Sequence, residues 1–344
     1  MRSIRWLAAA LTLCACERRL PWEDLDFTEL DLPAVSVFRA PNERLCGFLD
    51  GRFNQNGTLL SPGQLSCDDG ASGRVEVLAT GSNVAGQLVP GPVSFAVAFP
   101  PMLHRFDPTT GALQSREFDT TKGPLVGVDG SGRTLHSRSG ALVRVEPDGS
   151  TTTLLNSLTG SLLIAPDDRV FVSRTGGAII DQLVNGRLEP AIACPVPQLE
   201  VDCTSTWVHG FDGRGSLYVS GLFRAADGAV SMRYGRLDAD RSLHRLPDGP
   251  ATLRLNGGVS TCSVTRAGAL VCAYNFEQSD ADNYAHHLEL IVLAPGASEW
   301  RRVGKFPGEG SAPLQVAARE HDCIAGSYAA GASARILQLR GYRF

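Results

Sequence analysis

The chain has no excess of positive charge and very little lysine, and this shortage removes one class of partner. It has 32 Lys and Arg residues against 36 Asp and Glu, a formal net charge of −4 at pH 7, and Lys122 and Lys305 are its only lysines. Proteins that bind nucleic acid need a clustered basic surface to contact the phosphates. We therefore expect no nucleic-acid partner.

Long hydrophobic runs and long helical segments are also missing. The 37 Gly and 20 Pro residues are spread along all 344 positions, which favours many short strands joined by turns. The largely apolar run from Trp6 to Leu13 has only eight residues, whereas a membrane-spanning helix needs about 20. These features exclude a coiled coil, a helical bundle and a polytopic membrane protein.

The common catalytic motifs are absent. The sequence contains no Gly-x-Ser-x-Gly, no His-Glu-x-x-His, no Walker loop and no dinucleotide-binding fingerprint. It therefore supports none of the commonest enzymatic routes, and we predict that no cofactor is required.

The first sixteen residues have the pattern of an export signal. Arg2 and Arg5 precede the short apolar run, so residues 1–15 are predicted to be a signal peptide. The run ends in Leu13-Cys14-Ala15-Cys16, which resembles the bacterial lipobox, with an aliphatic residue at −3 and a small one at −1. The resemblance implies that Cys16 is lipidated and becomes the new N-terminus. A soluble secreted protein cut nearby is the alternative.

Lipidation at Cys16 would make membrane lipid the first partner of the protein. Two or more acyl chains are enough for stable anchoring. Glu17 occupies the position after the lipidated cysteine, where many inner-membrane lipoproteins have Asp. We therefore expect an anchor in the outer membrane of a Gram-negative bacterium, facing either the periplasm or the cell surface.

The segment 16–33 is predicted to be an acidic tether between the anchor and the folded domain. It contains Glu23, Asp24, Asp26, Glu29 and Asp31. A solvated stalk is the favoured interpretation. The alternation of Leu25, Phe27, Leu30 and Leu32 leaves open a strand packed on the domain.

The cysteine spacing predicts disulfides, because an exported chain meets an oxidising compartment. Three local pairs are expected, namely Cys46 with Cys67, Cys194 with Cys203, and Cys262 with Cys272. The third pair is the best supported, because Ala267-Gly268 can form a hairpin turn between its partners. Cys323 is left over. A zinc or redox site lacks the required Cys-x-x-Cys or Cys/His spacing.

Internal repeats predict the fold. Residues 128–140 align with residues 164–176, and both stretches read as strand, polar turn, strand and glycine turn. The Asp-Gly-x-Gly turn at Asp129 recurs at Asp212. One such unit cannot bury a face alone. Periods of about 37 to 50 residues with four short strands are typical of β-propeller blades.

We therefore predict an all-β fold in which residues 34–344 form a single β-propeller of about seven blades, with six also possible. A pair of β-sandwiches or a β-helix is the alternative. Gly81 to Leu88 is similar to the repeat of the regulator of chromosome condensation family. Cys262 to Cys272 matches the cysteine spacing of secreted bacterial relatives of that family. This resemblance implies a propeller fold and does not bear on exchange-factor activity.

Two groups of residues are candidate sites. Asp280 and Asp282, followed by His286 and His287, gather oxygen and imidazole donors that can bind a divalent cation. An ordinary exposed loop explains the same residues.

The second group is Trp207, His209 and Asp212, which can line the mouth of a propeller channel. An ordinary blade edge explains the same residues and is the favoured interpretation. The Asp-Gly turns at Asp129, Asp148, Asp212 and Asp248 resemble calcium repeats, but Asp-Gly is also good hairpin chemistry, which we favour.

Three functional hypotheses follow. The favoured one is a non-catalytic binding or scaffold module in the cell envelope, a monomeric domain whose partner is an envelope protein or a glycan. The second is an envelope hydrolase or lactonase-type enzyme that uses carboxylates or a divalent cation at the propeller axis. The third is a surface adhesin.

Overall fold

The computed structural model describes residues 28–30, 36–53, 59–69, 74–81, 86–92, 94–174, 179–193, 196–201, 206–226, 230–249, 261–280, 283–305, 315–327 and 335–339. Within these ranges the chain is built of strands, apart from one short 3-10 helix at Thr120–Lys122. None of the described helical structure is long and apolar enough to cross a membrane. The predicted signal peptide, Cys16 and most of the predicted tether lie outside the described residues.

The strands follow one another along the chain. In chain order they are β1 (Thr28–Leu30), β2 (Ser36–Arg39), β3 (Leu45–Leu49), β4 (Arg52–Phe53), β5 (Leu59–Ser61), β6 (Gly63–Asp68), β7 (Val75–Gly81), β8 (Gln87–Pro90), β9 (Phe95–Phe99), β10 (Met102–Phe106), β11 (Leu113–Glu117), β12 (Leu125–Val128), β13 (Thr134–Arg138), β14 (Ala141–Val145), β15 (Thr151–Leu155), β16 (Gly160–Ile164), β17 (Val170–Arg174), β18 (Ile180–Val184), β19 (Arg187–Ile192), β20 (Thr206–Phe211), β21 (Leu217–Arg224), β22 (Val230–Leu237), β23 (Leu243–Arg245), β24 (Thr261–Val264), β25 (Leu270–Asp280), β26 (Asn283–Leu293), β27 (Arg301–Lys305), β28 (Gln315–Arg319), β29 (Asp322–Ser327) and β30 (Arg335–Leu339).

In the described part of the chain these strands form seven four-stranded sheets and one two-stranded hairpin, β4 with β5. The sheets are blade 1 (β2, β3, β6, β7), blade 2 (β8 to β11), blade 3 (β12 to β15), blade 4 (β16 to β19), blade 5 (β20 to β23), blade 6 (β24 to β27) and blade 7 (β28, β29, β30, β1). The predicted all-β propeller is confirmed.

Contacts between the first strands of the blades close the ring. The inner strand β28 contacts both β2 and β24, and β12 contacts both β8 and β16. Apolar residues that alternate along each strand pack against the next blade. Phe38 and Phe48 of blade 1, for example, share a buried cluster with Val97 and Phe99 of blade 2.

Blade 7 is completed by the N-terminal strand. β1 pairs antiparallel with β30, with Thr28 opposite Gln338 and Leu30 opposite Ile336. The residues of β1 lie within the segment predicted as a tether, and here they are the outermost strand of a sheet. The beginning and the end of the described chain are therefore joined in one blade.

Hydrogen bonds link neighbouring blades at the end of the propeller where the turns follow the inner strands. We call this end the turn face. Going round the ring, the donors and acceptors are Ser94 Oγ to Arg39 O (2.7 Å), Arg105 Nη1 to Gly130 O (3.3 Å), Gly130 N to Asp168 Oδ1 (2.6 Å), Arg169 Nη2 to Gly215 O (2.8 Å), Gly213 N to Arg266 O (2.9 Å), Ala267 N to Glu320 Oε1 (2.9 Å) and Arg319 Nη1 to Glu43 O (3.1 Å). Each junction between blades is bridged there.

Two of the three predicted disulfides are confirmed. Cys46 is bonded to Cys67, and Cys262 is bonded to Cys272. In each pair the partners lie directly opposite one another on neighbouring strands, with Cα atoms 4.0 Å and 4.1 Å apart. The predicted pair of Cys194 and Cys203 lies outside the described residues. Cys323 is buried in the core beside blade 6.

Candidate functional site

A cavity of about 710 Å³ runs along the axis of the ring, between the inner strands. Inner strands of six blades line it, and β12 of blade 3 contributes no lining residue among those described. Gly127 on β12 has no side chain, so Leu162 and Ile164 of β16 cover it; a Cβ at Gly127 would lie 3.0 Å from Ile164 Cδ1. The neighbouring strand therefore screens β12 from the cavity.

The cavity has two distinct ends. At the amino ends of the inner strands it is bordered by Ser36, Trp207, Thr261 and Gln315. At the turn face it is bordered by Arg39, Pro41, Glu43, Pro92, Asp212 and Arg266. The two ends differ in charge, because the ionisable side chains other than His209 lie at the turn face.

The wall between the two ends is mainly apolar. It includes Val37, Leu88, Leu163, Val208, Val264 and Val316. Phe95, at the turn face, is 41% exposed although it is a large aromatic residue, and its ring meets Phe38 edge to face at 5.8 Å between centroids. Small-molecule sites are commonly cavities of 300–1,000 Å³ with apolar walls and a few polar groups. This cavity has both properties.

The structure places Trp207, His209 and Asp212 together on β20 and the turn that follows it, and all three border the cavity. Trp207 also packs on a buried cluster that contains Tyr218 and Tyr234. A binding role for these three residues stays a prediction.

His209 lies in the cavity wall and is surrounded by protein. Its Nε2 is 2.7 Å from Ser220 Oγ, and its ring lies 5.9 Å from that of Tyr234. The side chain keeps some exposure to the cavity, but the many atoms packed around it exclude most water. This desolvation lowers the pKa of His209 to about 4. The imidazole is therefore neutral at pH 7.

Asp212 is buried and holds the turn after β20. It accepts hydrogen bonds from the backbone N–H groups of Arg214 and Ser216, both at 2.9 Å. The Tyr218 hydroxyl donates a long one at 3.4 Å. Burial and the nearby Asp212 charge raise the pKa of Tyr218 to about 12. The position of Asp212 at the cavity therefore follows from turn chemistry.

The other Asp-Gly positions also have structural partners. Asp129 accepts from Arg133 N at 2.8 Å, and Asp148 accepts from Ser150 N at 2.9 Å. Asp248 pairs with Arg245 at 2.8 Å. These contacts are those of turns and of a surface ion pair, as the favoured interpretation expects.

Some of the charged side chains at the turn-face end have an ionic partner and others do not. Arg39 Nη1 is 3.3 Å from Glu43 Oε1, so these two side chains compensate one another. Arg266 is exposed, and its guanidinium has no ion pair or hydrogen bond with any residue that the structure describes. Its side chain lies over Gly213, where an added Cβ would come within 2.7 Å of Arg266 Cγ.

The predicted metal residues lie on the long hairpin β25–β26. Asp280 is opposite Asn283 at its tip, His286 is opposite Glu277 and His287 is opposite Phe276, whereas Asp282 lies outside the described residues. The described residues contain no cluster of three or more His, Cys, Asp or Glu that could hold a metal ion. The cation site stays a prediction.

Arg266 and Phe95 line the cavity but are not among the site residues predicted from the sequence. The sequence contained a usable signal for Arg266. Thr265 and Gly268 occupy the same positions in the turn of blade 6 as Asp129 and Gly132 occupy in the turn of blade 3. In both turns the glycine N–H donates to the carbonyl of the first residue. Phe95 had no such signal, because its exposure depends on the ring being closed around the cavity.

Comparison with known proteins adds little about function. No protein-family model matches the chain, and no curated protein matches it. Among solved structures it is similar to a calcium-binding protein, regucalcin, from Agrobacterium tumefaciens strain C58, at 15% identity and a TM-score of 0.33, over 92% of this chain and 94% of that one. The likeness is too weak to carry an argument about ligand or activity.

Proposed function

We propose that the protein is an exported lipoprotein, anchored through Cys16, whose propeller is a non-catalytic binding module with its ligand site in the central cavity. The observation that carries the proposal is the cavity itself, with about 710 Å³ of space enclosed by apolar strands. A closed ring with bridged blade junctions presents this space without a rearrangement, and a preformed site reduces the entropic cost of binding.

The side chains at the cavity favour binding over hydrolysis. Glu43 and Asp212 are the carboxylates among the described lining residues. Glu43 pairs with Arg39, and Asp212 accepts hydrogen bonds from its own turn. A hydrolase or lactonase-type site needs carboxylates that converge on a substrate or a cation. That alternative therefore has less support.

Narrowing the cavity with a larger side chain tests the proposal. Val37 borders the cavity, and Val77 lies on the outer strand of blade 1 with 53% of its surface exposed. We expect the uncharged dye Nile red to bind the wild-type protein with one-to-one stoichiometry and enhanced fluorescence. Val37→Trp should weaken the saturable signal, and Val77→Trp, the matched control, should bind as the wild type does. Equal binding by the two variants, each with a wild-type circular dichroism spectrum, would contradict a cavity site.

The anchor is tested separately. Mass spectrometry of the N-terminal peptide from protein made in a Gram-negative host should find Cys16 as the first residue with a diacylglyceryl group on its sulfur. Membrane fractionation should place the wild-type protein in the outer membrane and release Cys16→Ser. An unmodified thiol on Cys16 would refute the anchor and leave the cavity proposal standing.

The scaffold and adhesin hypotheses concern the exposed loops. Cross-linking in living cells should capture an envelope protein or a glycan at the loops if the propeller is a scaffold. Protease added to intact cells should digest the protein if it is a surface adhesin and spare it if it faces the periplasm.

A further inference from the structure

The central cavity is amphipathic along its length. Its wall is apolar, and its one ionisable wall residue, among those described, is the neutral His209. Formal charge gathers at the turn face, where Phe95 and the prolines Pro41, Pro92 and Pro108 form an apolar rim. A ligand that fills this space would place an apolar body among the strands and a polar group at the turn face.

The four charged side chains that border the turn-face end sum to zero, and Arg266 is the one among them whose charged group has no hydrogen bond or ion pair with a described residue. Arg39 and Glu43 neutralise one another at 3.3 Å, and Asp212 is engaged by two backbone N–H groups. Arg266 stands beside them without an ionic partner among the described residues. A guanidinium binds a carboxylate or a phosphate group through two parallel, charge-assisted hydrogen bonds.

The N-terminal chain enters the domain at the same end. β30 runs in the same direction as β28, because each is antiparallel to β29. Thr28 pairs with Gln338, near the carboxyl end of β30, so the chain reaches β1 from the turn face. Blade 7, which contains β1, lies between blade 6 with Arg266 and blade 1 with Arg39.

The distance from the anchor is short. Cys16 precedes Thr28 by twelve positions, and a fully extended chain spans at most about 3.3–3.6 Å per residue, so the lipid would lie within about 43 Å of the turn face. If Cys16 is lipidated, the turn-face end of β1 is tethered within about 43 Å of a bilayer.

We propose that the central cavity binds an anionic amphiphile, with its acyl chain between the inner strands and its head group on Arg266. The inference rests on the proposed function and adds the class of the ligand. Burial of each methylene favours a chain in the apolar wall. The head group supplies the anion that Arg266 lacks.

The test uses residues 16–344 with Cys16→Ser, so that no detergent is needed. Titration calorimetry is carried out with dodecanoate and with dodecyltrimethylammonium, both below their micelle-forming concentrations. We expect dodecanoate to bind with one-to-one stoichiometry and at least about tenfold more tightly than the cation of the same chain length. Dodecyl phosphate is the third probe, and its affinity relative to dodecanoate separates a lipid phosphate head group from a fatty carboxylate.

Charge variants assign the head group to one residue. Arg266→Glu should weaken dodecanoate binding by about tenfold or more and reduce the preference for the anion, and Arg266→Gln should have a smaller effect in the same direction. Arg214→Glu is the matched control, because Arg214 is exposed on the neighbouring turn and does not line the cavity. It should bind as the wild type does.

The outcomes separate the two proposals. Equal affinity of the wild-type protein for the anion and the cation, or of Arg266→Glu and Arg214→Glu for dodecanoate, would overturn the anionic ligand while Nile red binding still supports the cavity. If Val37→Trp binds both Nile red and dodecanoate as the wild type does, the cavity site itself fails. Circular dichroism of each variant confirms that lost binding does not reflect unfolding.

Discussion

At the scale of single residues, the environment of each polar group in the cavity decides what it can do. His209 has a ring nitrogen 2.7 Å from Ser220 Oγ and sits among the aromatic rings of blade 5. Its pKa of about 4 makes it a neutral wall residue at pH 7. Trp207, His209 and Asp212 were recognisable as a group from the sequence. Their different roles could not be predicted from the sequence, because the roles depend on how deeply each side chain is buried and on its contacts within the turn.

The pKa of His209 predicts a pH dependence of stability. The ordinary pKa of histidine is about 6.5. Between about pH 6.5 and pH 4 the unfolded state therefore binds a proton at this residue that the folded state does not bind. The free energy of unfolding falls as the pH falls through this range. Chemical denaturation at pH 7 and pH 5 should show that the wild type loses about 2 kcal/mol more than His209→Gln. His321→Gln, at an exposed histidine, is the control and should behave as the wild type does. Equal losses for all three proteins would contradict the burial of His209.

At the scale of strands and hairpins, the local spacing of residues in the sequence predicts strand pairing well. Cys262 and Cys272 are separated by a recognisable hairpin turn, so their pairing could be deduced from the sequence. The pairing of the strands around the Asp-Gly turns could be deduced in the same way. The contact of Phe95 with Phe38 could not be deduced from the sequence. The two residues lie in different blades, and the periodicity within one blade does not show which residues meet in the next.

The disulfides are predicted to stabilise the folded domain. The pair of Cys262 and Cys272 closes a loop of 10 residues and should contribute about 3 kcal/mol through the entropy of the unfolded chain. The double variant Cys262→Ala/Cys272→Ala should therefore unfold at a lower urea concentration. The wild type treated with a reductant should lose at least as much stability, because Cys46 with Cys67 is then also open. An unchanged midpoint in both experiments would rule out these bridges as stabilising elements.

At the scale of the whole molecule, ring closure creates the cavity. Blade 7 combines the first described strand with the last three, and Arg319 joins it to blade 1 through Glu43 O and through Asp68, whose Oδ2 lies 3.1 Å from Arg319 Nη2. The repeats predicted the ring, but they could not predict that Leu162 and Ile164 of β16 cover Gly127, so that β12 does not line the cavity. That detail depends on side chains of the neighbouring blade.

The buried ion pair at the closing seam should be sensitive to the loss of its cation. Asp68 is only 1% exposed, so Arg319→Leu would leave a buried carboxylate without its charge partner, at a cost of about 3–5 kcal/mol. Urea denaturation should detect this loss, whereas Arg214→Leu, at an exposed arginine, should stay within about 0.5 kcal/mol of the wild type. Adding Asp68→Asn to Arg319→Leu should recover part of the stability. A double variant no more stable than the single one would show that the charge at Asp68 is not the cause.

The central claim is that the axial cavity is a ligand site, and native mass spectrometry of protein purified from the envelope of producing cells tests it most directly. We expect the wild type and Val77→Trp to carry a small molecule, one per chain, that solvent extraction releases. Val37→Trp, in which the indole occupies part of the cavity, should carry less of it. Equal occupancy by the bound species in all three proteins, or no bound species in any of them, would contradict the account.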